Sequence, residues 1–374
     1  MKIVSVMTTE SPSGGAEFAA VEMLDALIDR GHDTVLLTSR PEMVRTRRVR
    51  AVTLELGPKL STRSYLRLVL RLPLLVVELN RALEREQPYD ILLLHYKKEQ
   101  LLSLLLRPRL RRTIVWAEWG PIPFPLRKGI PRRLYLAAAR RARLVLAISE
   151  GTRRSVCDVG VDPEKVVVVP NVMRTDEIEF RQAGRDRVRQ ELGIPGDAFV
   201  VGLISRFHPK KRNDVVVEAV IALDNPAVHL ILAGDGETEA SLRAIGKPLG
   251  DRLHIVPPPG GDVADMLSAF DVSVFCPSPT EGAPRAVLLG MLAARPCLST
   301  GAEGVADIIT PGIGEITSPE NDPDALRDVL RGYLADPARL EREGANARRE
   351  AEETYAAPVV ASRLEALLDA ARSR

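Results

Sequence analysis

Two cationic side chains, five residues apart, follow an apolar run in the second half of the chain. Arg206 and Lys211 come just after residues 199–204, and a helical pattern begins beyond them. Arginine presents a planar fork of donors and lysine a mobile point charge, so the pair can hold a diphosphate from two sides. Such cations also offset the charge that develops on a departing phosphate. The pattern predicts a diphosphate-binding loop, with a basic surface loop as the alternative.

A second segment, residues 280–291, reads Thr-Glu-Gly-Ala-Pro-Arg-Ala-Val-Leu-Leu-Gly-Met. It follows the apolar run 272–276 and continues as an apolar helical pattern. The junction between the strand and the helix is therefore predicted at Glu281, Gly282, Ala283 and Pro284. Free backbone N–H groups and the positive end of the helix dipole favour a phosphate or a sugar hydroxyl at such a junction.

The first half of the chain offers a second group of candidates. Gly14 and Gly15 follow the first apolar run, and glycines let the backbone approach a ligand closely, with a simple turn as the alternative. His95 ends a later run, where a structural role is the alternative to binding. Trp119 can stack on a sugar face and donate one hydrogen bond. The adjacent Glu118 offers a carboxylate that points the other way on an extended chain.

These candidates all follow short apolar runs that alternate with helical patterns along the whole chain. The runs predict strands at residues 2–7, 34–39, 51–56, 90–95, 113–116, 144–148, 166–169, 199–204, 228–233, 253–256, 272–276 and 297–300. Strands that alternate with crossover helices form parallel sheets with helices on both faces. Ligands bind beyond the carboxyl ends of such strands, which is where the candidates lie. The predicted fold class is α/β, with two Rossmann-like doubly wound domains in succession.

The domain boundary is predicted in the polar stretch that follows the last strand of the first half. Residues 1–174 are predicted to form one domain, residues 175–355 a second domain, and residues 356–374 a terminal helix. A chain of 374 residues is long enough for two domains of ordinary size.

Charge is distributed unevenly along the chain. The net charge is +2, but residues 1–175 carry 30 Lys and Arg against 18 Asp and Glu, and the remainder carries 22 against 32. A basic half indicates an anionic partner. A membrane surface is one such partner, because Arg63, Arg67 and Arg71 share a face of a helix predicted over 61–86; a solvated helix face is the alternative. Aromatic residues make up only 4%, which argues against single-stranded nucleic acid.

Cysteine usage and hydropathy indicate the compartment. Three well-separated cysteines favour reduced thiols over disulfides or a zinc site. The amino terminus does not have the pattern of a secretory signal, and no apolar stretch is long enough to span a bilayer. We predict a cytoplasmic location, peripheral to the inner face of the membrane.

The motifs together resemble those of the retaining GT-B glycosyltransferases of family 4, over nearly the whole chain. The likeness rests on residues 280–291, on Arg206 and Lys211, on the Gly14-Gly15 turn and on the Gly-Asp-Gly turn at 234–236. It implies two domains that face each other across a cleft, with residues 1–174 on the acceptor side and residues 175–355 on the nucleotide-sugar side. It also implies that the terminal helix, residues 356–374, returns to the first domain. It also implies transfer of a sugar from a nucleotide diphosphate to an acceptor hydroxyl, with retention of configuration and with neither a cofactor nor a metal.

The resemblance assigns roles on the donor side. It implies Arg206, Lys211 and Glu281 as the catalytic residues, with Arg206 and Lys211 on the donor diphosphate. Glu281 and the backbone of residues 282–284 hold the sugar, and Gly15 lies near the donor phosphates. In this mechanism the leaving phosphate itself helps to deprotonate the incoming hydroxyl, so no side-chain base is required.

On the acceptor side, the resemblance implies Gly14, His95, Glu118 and Trp119. Two positions depart from the family pattern: Trp119 stands where a histidine is usual, and Leu289 stands where a second glutamate accepts hydrogen bonds from the nucleotide ribose. The loss of a charged acceptor costs about 1.5–3 kcal/mol, or roughly ten- to a hundredfold in affinity.

Functions from three classes follow from these patterns. The first is a metal-independent glycosyltransferase that uses a nucleotide sugar. The second is a GT-B protein without turnover that serves as a binding or partner subunit, which Leu289 and Trp119 favour and the retained cations oppose. The third, a dinucleotide-binding oxidoreductase, lacks the Gly-x-Gly-x-x-Gly fingerprint after the first strand.

Overall fold

The computed structural model describes residues 1–9, 14–44, 47–58, 70–277, 282–301, 304–318 and 320–373. The chain divides into two compact units. The first combines Met1–Met173 with Ala357–Arg374, and the second is Arg174–Ala356. Each unit is built on one parallel sheet.

A seven-stranded sheet forms the first unit, in the order β3-β2-β1-β4-β5-β6-β7, and every pairing is parallel. Its strands are β1 Lys2–Met7, β2 Asp33–Thr38, β3 Arg50–Thr53, β4 Ile91–Leu94, β5 Thr113–Glu118, β6 Ala142–Ala147 and β7 Val166–Val168. Alternate residues point to two hydrophobic clusters, with Val4 and Leu92 in one and Ile3 and Leu93 in the other. Burial on both faces explains why these strands read as nearly continuous apolar runs.

Helices cover both faces of this sheet. They are α1 Gly15–Asp29, α2 Leu72–Arg85, α3 Lys97–Leu102, α4 Gly129–Ala139, α5 Glu150–Asp158 and, at the end of the chain, α13 Ala357–Ser373. The helix α13 packs on α1, since Leu364 and Leu368 share a cluster with Leu24 and Leu27. The last helix of the chain is therefore part of the first unit.

The second unit has a six-stranded sheet in the order β10-β9-β8-β11-β12-β13, again parallel throughout. Its strands are β8 Phe199–Ile204, β9 Val228–Ala233, β10 Leu253–Val256, β11 Val272–Phe275, β12 Cys297–Ser299 and β13 Gly314–Ile316. Its helices are α6 Gln182–Glu191, α7 Asn213–Leu223, α8 Glu239–Ile245, α9 Val263–Ser268, α10 Arg285–Leu292, α11 Pro323–Ala335 and α12 Pro337–Tyr355.

Each sheet has a point where the strand order reverses. In the first unit it lies between β1 and β4, and in the second between β8 and β11. The loops after these strands diverge to opposite faces of a doubly wound sheet, which leaves a crevice at the carboxyl ends of the strands. Two Rossmann-like parallel-sheet domains were predicted, and the topology confirms them.

All twelve predicted strands are present, and β1, β8, β9 and β10 have the predicted bounds. The sequence analysis missed β13, because Gly314-Glu315-Ile316 is too short and too polar to stand out as an apolar run. This strand lies at the edge of the sheet beside β12, and a Cβ atom on Gly314 would lie 1.9 Å from the carbonyl oxygen of Cys297. Close backbone approach explains a glycine in this strand.

Only the second part of the basic helix predicted over residues 61–86 lies within the described residues. The helix α2 begins at Leu72, with Arg71 just before it and a proline in its first turn, where proline is tolerated. Arg63 and Arg67 lie outside the described residues. Across the described ranges, no helix is both long and apolar enough to cross a membrane.

Candidate active site

The cations predicted to bind a diphosphate lie at the switch point of the second sheet. Arg206 follows β8, and its exposed guanidinium has no hydrogen-bond or ion-pair partner among the described residues. Lys211 ends the short turn Pro209–Lys211, and its Nζ lies 5.0 Å from the centre of the Phe275 ring. Because Phe275 ends β11, Lys211 lies over the carboxyl end of the neighbouring strand.

The turn after β9 packs directly against the Arg206 segment. The backbone N–H of Phe207 donates to the carbonyl of Asp235 at 2.6 Å. A Cβ atom on Gly234 would lie 1.9 Å from the carbonyl oxygen of Ser205, and one on Gly236 would lie 2.3 Å from that of Phe207. Only glycines allow this approach. The Gly-Asp-Gly turn therefore positions the loop that carries Arg206.

Asn213 is a candidate site residue that the sequence analysis missed. It begins α7, its side chain is 3% exposed, and the Ser205 hydroxyl donates to its Oδ1 at 3.0 Å. Its Nδ2 has no hydrogen-bond partner within the part of the chain that the structure describes. Buried polar groups are nearly always paired, so this N–H₂ is a candidate donor to a ligand. The available signal was an asparagine at a helix start directly after a basic turn.

The junction predicted to bind the sugar lies at the amino end of α10. Gly282 and Pro284 are buried and Ala283 is half-buried, whereas Glu281 lies outside the described residues. Pro284 precedes the helix, which starts without a side-chain cap. The amino end of a helix carries a positive partial charge, which favours an anion or a hydroxyl there.

Leu289 is part of a hydrophobic cluster. It lies one turn into α10, is half-buried, and packs against the cluster that contains Phe270 and Ala293. An apolar residue at this position supplies packing and no hydrogen bond. A ribose near this part of α10 would therefore meet a hydrocarbon surface.

The first unit places its candidates at the switch point between β1 and β4. Gly14 is the residue before α1, and its N–H donates to Glu17 Oε2 at 3.0 Å. Gly15 is exposed, and a Cβ atom there would meet nothing within 4 Å. Glu17 is buried and also accepts a hydrogen bond from the Tyr96 hydroxyl. The Gly14-Gly15 turn is thus tied to the loop that follows β4.

His95 and Trp119 bind each other. Their rings stack with centres 5.7 Å apart, and Trp119 Nε1 donates to His95 Nδ1 at 3.2 Å. The neutral imidazole therefore carries its proton on Nε2, which lies 2.6 Å from the Ser5 hydroxyl. His95 is 2% exposed, and burial lowers its pKa to about 3. The one N–H that Trp119 was expected to offer a sugar is engaged inside the protein.

Glu118 is also engaged. It is 2% exposed, the ammonium of Lys97 donates to its Oε2, and the Tyr135 hydroxyl donates to its Oε1 at 3.0 Å. Lys97 Nζ lies 5.1 Å from the centre of the Tyr135 ring. Burial lowers the pKa of Lys97, and the charge of Glu118 opposes that effect. Glu118 and Trp119 contact different residues, as alternation along a strand predicts.

A polar run after β4 forms a network that the sequence analysis did not single out. Glu99 accepts hydrogen bonds from the N–H of Thr8 at 2.9 Å and from its hydroxyl at 2.6 Å. Lys98 donates to the carbonyls of Thr8, Gly57 and Pro58. The signal was five consecutive polar residues, 96–100, directly after an apolar strand. These contacts hold the carboxyl end of β1 in place.

The buried His95 predicts a pH dependence of stability. Its pKa is about 3 when folded against an ordinary 6.5, so its stabilising contribution is present above about pH 6.5 and is lost as the pH falls from there. Between pH 7 and pH 5 the loss should be about 2 kcal/mol in the free energy of unfolding. Trp116 and Trp119 both lie in the first unit, so tryptophan fluorescence during urea unfolding reports on it.

In the variant His95→Gln, the free energy of unfolding should fall by about 2 kcal/mol less between pH 7 and pH 5 than in the wild type. The control His208→Gln removes a half-exposed imidazole from the second unit and should show the same decrease as the wild type. An equal loss of stability in wild type and His95→Gln would contradict a buried, neutral His95.

Comparisons with known proteins agree with this architecture. Residues 13–177 match the family model described as Glycosyltransferase Family 4, and residues 198–336 match the one described as Glycosyl transferases group 1. A D-inositol 3-phosphate glycosyltransferase of Kineococcus radiotolerans is 31% identical over 257 residues, which are 62% of this chain and 58% of the relative. The protein of the same name from Geodermatophilus obscurus is 29% identical over 246 residues, which are 62% of this chain and 53% of that relative. The chain thus spans little more than half the length of these curated relatives.

Solved structures share the fold over the full length. Anabaena Alr3699/HepE, crystallised with UDP and glucose, has a TM-score of 0.82 at 20% identity and covers 99% of both chains. The sucrose-phosphate synthase of Thermosynechococcus elongatus has a TM-score of 0.80 at 17% identity, and the match covers 99% of this chain and 98% of that one. With two Rossmann-like domains that match two consecutive glycosyltransferase family models, this chain belongs to the GT-B glycosyltransferases of family 4.

Proposed function

We propose that this chain is a retaining glycosyltransferase that moves a sugar from a nucleotide diphosphate donor to an acceptor hydroxyl. The observation that carries the proposal is the position of Arg206 and Lys211 at the switch point of the second sheet. Lys211 lies at the end of β11, the strand that precedes the amino end of α10. Two cations and a helix amino end suit a bound diphosphate.

In the proposed reaction, the second unit stabilises the leaving group. Arg206 forms a forked contact with the diphosphate, and Lys211 adds a point charge where negative charge develops as the glycosidic bond breaks. Glu281 and the backbone at 282–284 hold the sugar hydroxyls. The leaving phosphate receives the proton of the incoming hydroxyl. The two side-chain cations neutralise the charge of the leaving diphosphate, which other enzymes do with a metal ion.

The first unit is proposed to hold the acceptor near Gly14. Because Glu118 and His95 are committed to buried partners, we propose that they position the loop after β5 and do not take part in proton transfer. The ring of Trp119 is half-buried and remains the apolar surface for an acceptor.

The relatives suggest the substrates to test first. The Anabaena neighbour was crystallised with UDP and glucose, so UDP-sugars are the first candidate donors. The two curated relatives are named for D-inositol 3-phosphate, which makes a phosphorylated cyclitol the first candidate acceptor.

Thermal-shift titration with UDP-, GDP-, ADP- and dTDP-sugars, repeated on Lys211→Ala, tests the proposal. One donor should raise the melting temperature of the wild type, and the variant should lose most of that shift. Product formation from that donor, with the anomeric configuration determined by NMR, then tests turnover and retention. A protein that no donor stabilises would instead fit a partner subunit without turnover.

We also propose that the first unit rests on an anionic membrane surface. Residues 119–149 contain seven Lys and Arg and neither Asp nor Glu. Phe124 and Ile130 are 70% and 71% exposed in this stretch, beside the exposed cations Lys128 and Arg133. Exposed apolar side chains among uncompensated cations suit the interface of an anionic bilayer. This surface replaces the one predicted from residues 61–86 as our candidate, since the helix α2 carries Glu84 in ion pairs with Arg107 and Arg109.

The double variant Phe124→Ser/Ile130→Ser should bind vesicles that contain phosphatidylglycerol at least about tenfold more weakly than the wild type, because each side chain contributes roughly 1.5–3 kcal/mol when fully buried. Co-sedimentation measures the partition coefficient. The matched control Phe180→Ser/Val359→Ser removes two other exposed apolar side chains, 38% and 48% exposed, and should bind like the wild type. Equal losses in both variants would exclude this surface.

A further inference from the structure

A basic pocket lies in the first unit at the edge of the sheet where the strands begin. It has a volume of about 580 Å³, and five arginines and one aspartate contribute to its lining. The charged lining residues are Asp90, Arg111, Arg112, Arg141, Arg143 and Arg372. They come from the starts of β4, β5 and β6 and from the end of α13. Residues far apart in the sequence thus bring cations to one concave surface.

Local backbone structure directs two of these arginines into the same region. β5 and β6 are neighbours, with Ile114 opposite Ala142, and the register then shifts so that Val115 lies opposite Leu144. Arg143 is the extra residue of this bulge, and a bulge re-aims the side chain it carries. Arg112 lies at the start of the adjacent strand, and neighbouring strands are separated by about 4.8 Å.

Three of the arginines are held in place by the protein. Arg111 Nε donates to the carbonyl of Leu106 at 2.7 Å, and Arg141 donates to the carbonyls of Ser103 and Leu104 at 3.0 and 2.6 Å. Arg372 pairs with Asp90 at 3.6 Å and with Asp369 at 3.3 Å. These contacts give the pocket a fixed basic frame.

The other two have no such partners. The side chains of Arg112 and Arg143 are exposed, and neither has a hydrogen-bond or ion-pair partner among the described residues. Asp90 is the one carboxylate of the lining, and it already accepts a hydrogen bond from the N–H of Lys2 at 2.8 Å. Clustered like charges repel, and a bound anion relieves that repulsion. The planar forks of arginine suit phosphate oxygens in particular.

The pocket is separate from the candidate active site. Thr8, His95 and Glu118 mark the carboxyl ends of β1, β4 and β5, whereas the pocket lies at the opposite ends of β4, β5 and β6. A six-residue strand such as β5 is about 17–20 Å long. A ligand in the pocket is therefore distinct from a substrate bound at the switch points.

We propose that this arginine pocket binds a ligand that carries two or more phosphate groups. Its volume lies within the range of small-molecule sites, about 300–1,000 Å³. The charged lining residues give it a net charge of +4, from five arginines and one aspartate. A free oligophosphate and the phosphorylated headgroup of a lipid share the chemistry that the pocket recognises.

Isothermal titration with tripolyphosphate tests the proposal on the full-length protein. The wild type should bind one equivalent at low ionic strength in addition to any bound at the donor site. Arg112→Gln/Arg143→Gln should weaken that binding by about tenfold or more, because two charge-assisted contacts are lost. The control Arg154→Gln/Arg363→Gln removes two exposed arginines of the same unit that do not line the pocket, and should bind like the wild type. Lys211→Ala should retain binding at the pocket, which separates it from the donor site.

A second arm distinguishes the two sources of phosphate. Vesicles that contain a phosphatidylinositol phosphate are tested by co-sedimentation with the same variants, and unchanged melting temperatures show that the variants are folded. A loss confined to tripolyphosphate supports a soluble ligand, and a loss confined to vesicles supports a lipid headgroup. The proposal would be overturned if Arg112→Gln/Arg143→Gln bound tripolyphosphate and vesicles as tightly as the control Arg154→Gln/Arg363→Gln. It would also be overturned if Lys211→Ala were the one variant that lost tripolyphosphate binding.

Discussion

Replacing Lys211 by alanine is expected to lower kcat/KM for the nucleotide-sugar donor by about 10²–10³-fold, the usual effect of removing one preorganised group that stabilises the charge of a transition state. Lys211 Nζ lies at the carboxyl end of β11, held 5.0 Å from the centre of the Phe275 ring. No reorganisation is needed to place the charge when the phosphate departs. Initial rates over a range of donor concentrations, with the donor identified by thermal shift, measure the effect.

The neighbouring lysine provides a matched control. Lys210 belongs to the same short turn and is exposed. Its replacement by alanine removes the same charge from the loop as Lys211→Ala. Lys210→Ala is expected to keep nearly all of the activity. If both variants lose activity equally, the net charge of the loop matters and the position of Lys211 does not, which would contradict its proposed role.

The second large effect is expected for Gly234→Ala. A Cβ atom there would lie 1.9 Å from the carbonyl oxygen of Ser205, and 3.1 Å from the Phe207 ring. Because the obstacle is backbone, the turn or the Arg206 segment must move. We expect the second unit to lose about 3 kcal/mol of unfolding free energy, the upper part of the range for overpacked sites.

Donor binding separates this effect from a simple loss of stability. At temperatures where Gly234→Ala is still folded, displacement of the Arg206 segment should weaken the donor affinity, as measured by isothermal titration. Gly196→Ala is the control, because a Cβ atom there would meet nothing within 4 Å. It should leave both stability and affinity near wild-type values. Wild-type affinity in folded Gly234→Ala would show that the turn does not position Arg206.

Much of the donor side was predictable because its determinants are local. Arg206 and Lys211 lie within one loop between a strand and a helix, and residues 282–284 lie within another. The apolar runs identified both strands, and alternation with helices identified a parallel sheet. The rule that ligands bind beyond the carboxyl ends of such strands then gave the position of the candidate site. Asn213 was missed because its burial and its contact with Ser205 depend on how the loop folds back.

The acceptor side was less predictable because its polar residues are paired over long distances in the sequence. His95, Glu118 and Trp119 were all plausible ligands when considered one at a time. In the structure, Trp119 donates to His95, and Glu118 accepts from Lys97 and Tyr135. Which of these groups stays available depends on the order and register of β1, β4 and β5.

The sequence by itself determined the two Rossmann-like domains, the family and the cation pair, because hydrophobic periodicity and loop composition act within one strand–turn–helix unit. Only the tertiary structure decided which polar groups are engaged with one another, how Gly234 positions the Arg206 loop, and how Leu289 packs. It also decided that Asp90, Arg112, Arg143 and Arg372 line one pocket. These features depend on contacts between segments far apart in the chain, which sheet register and helix packing bring together.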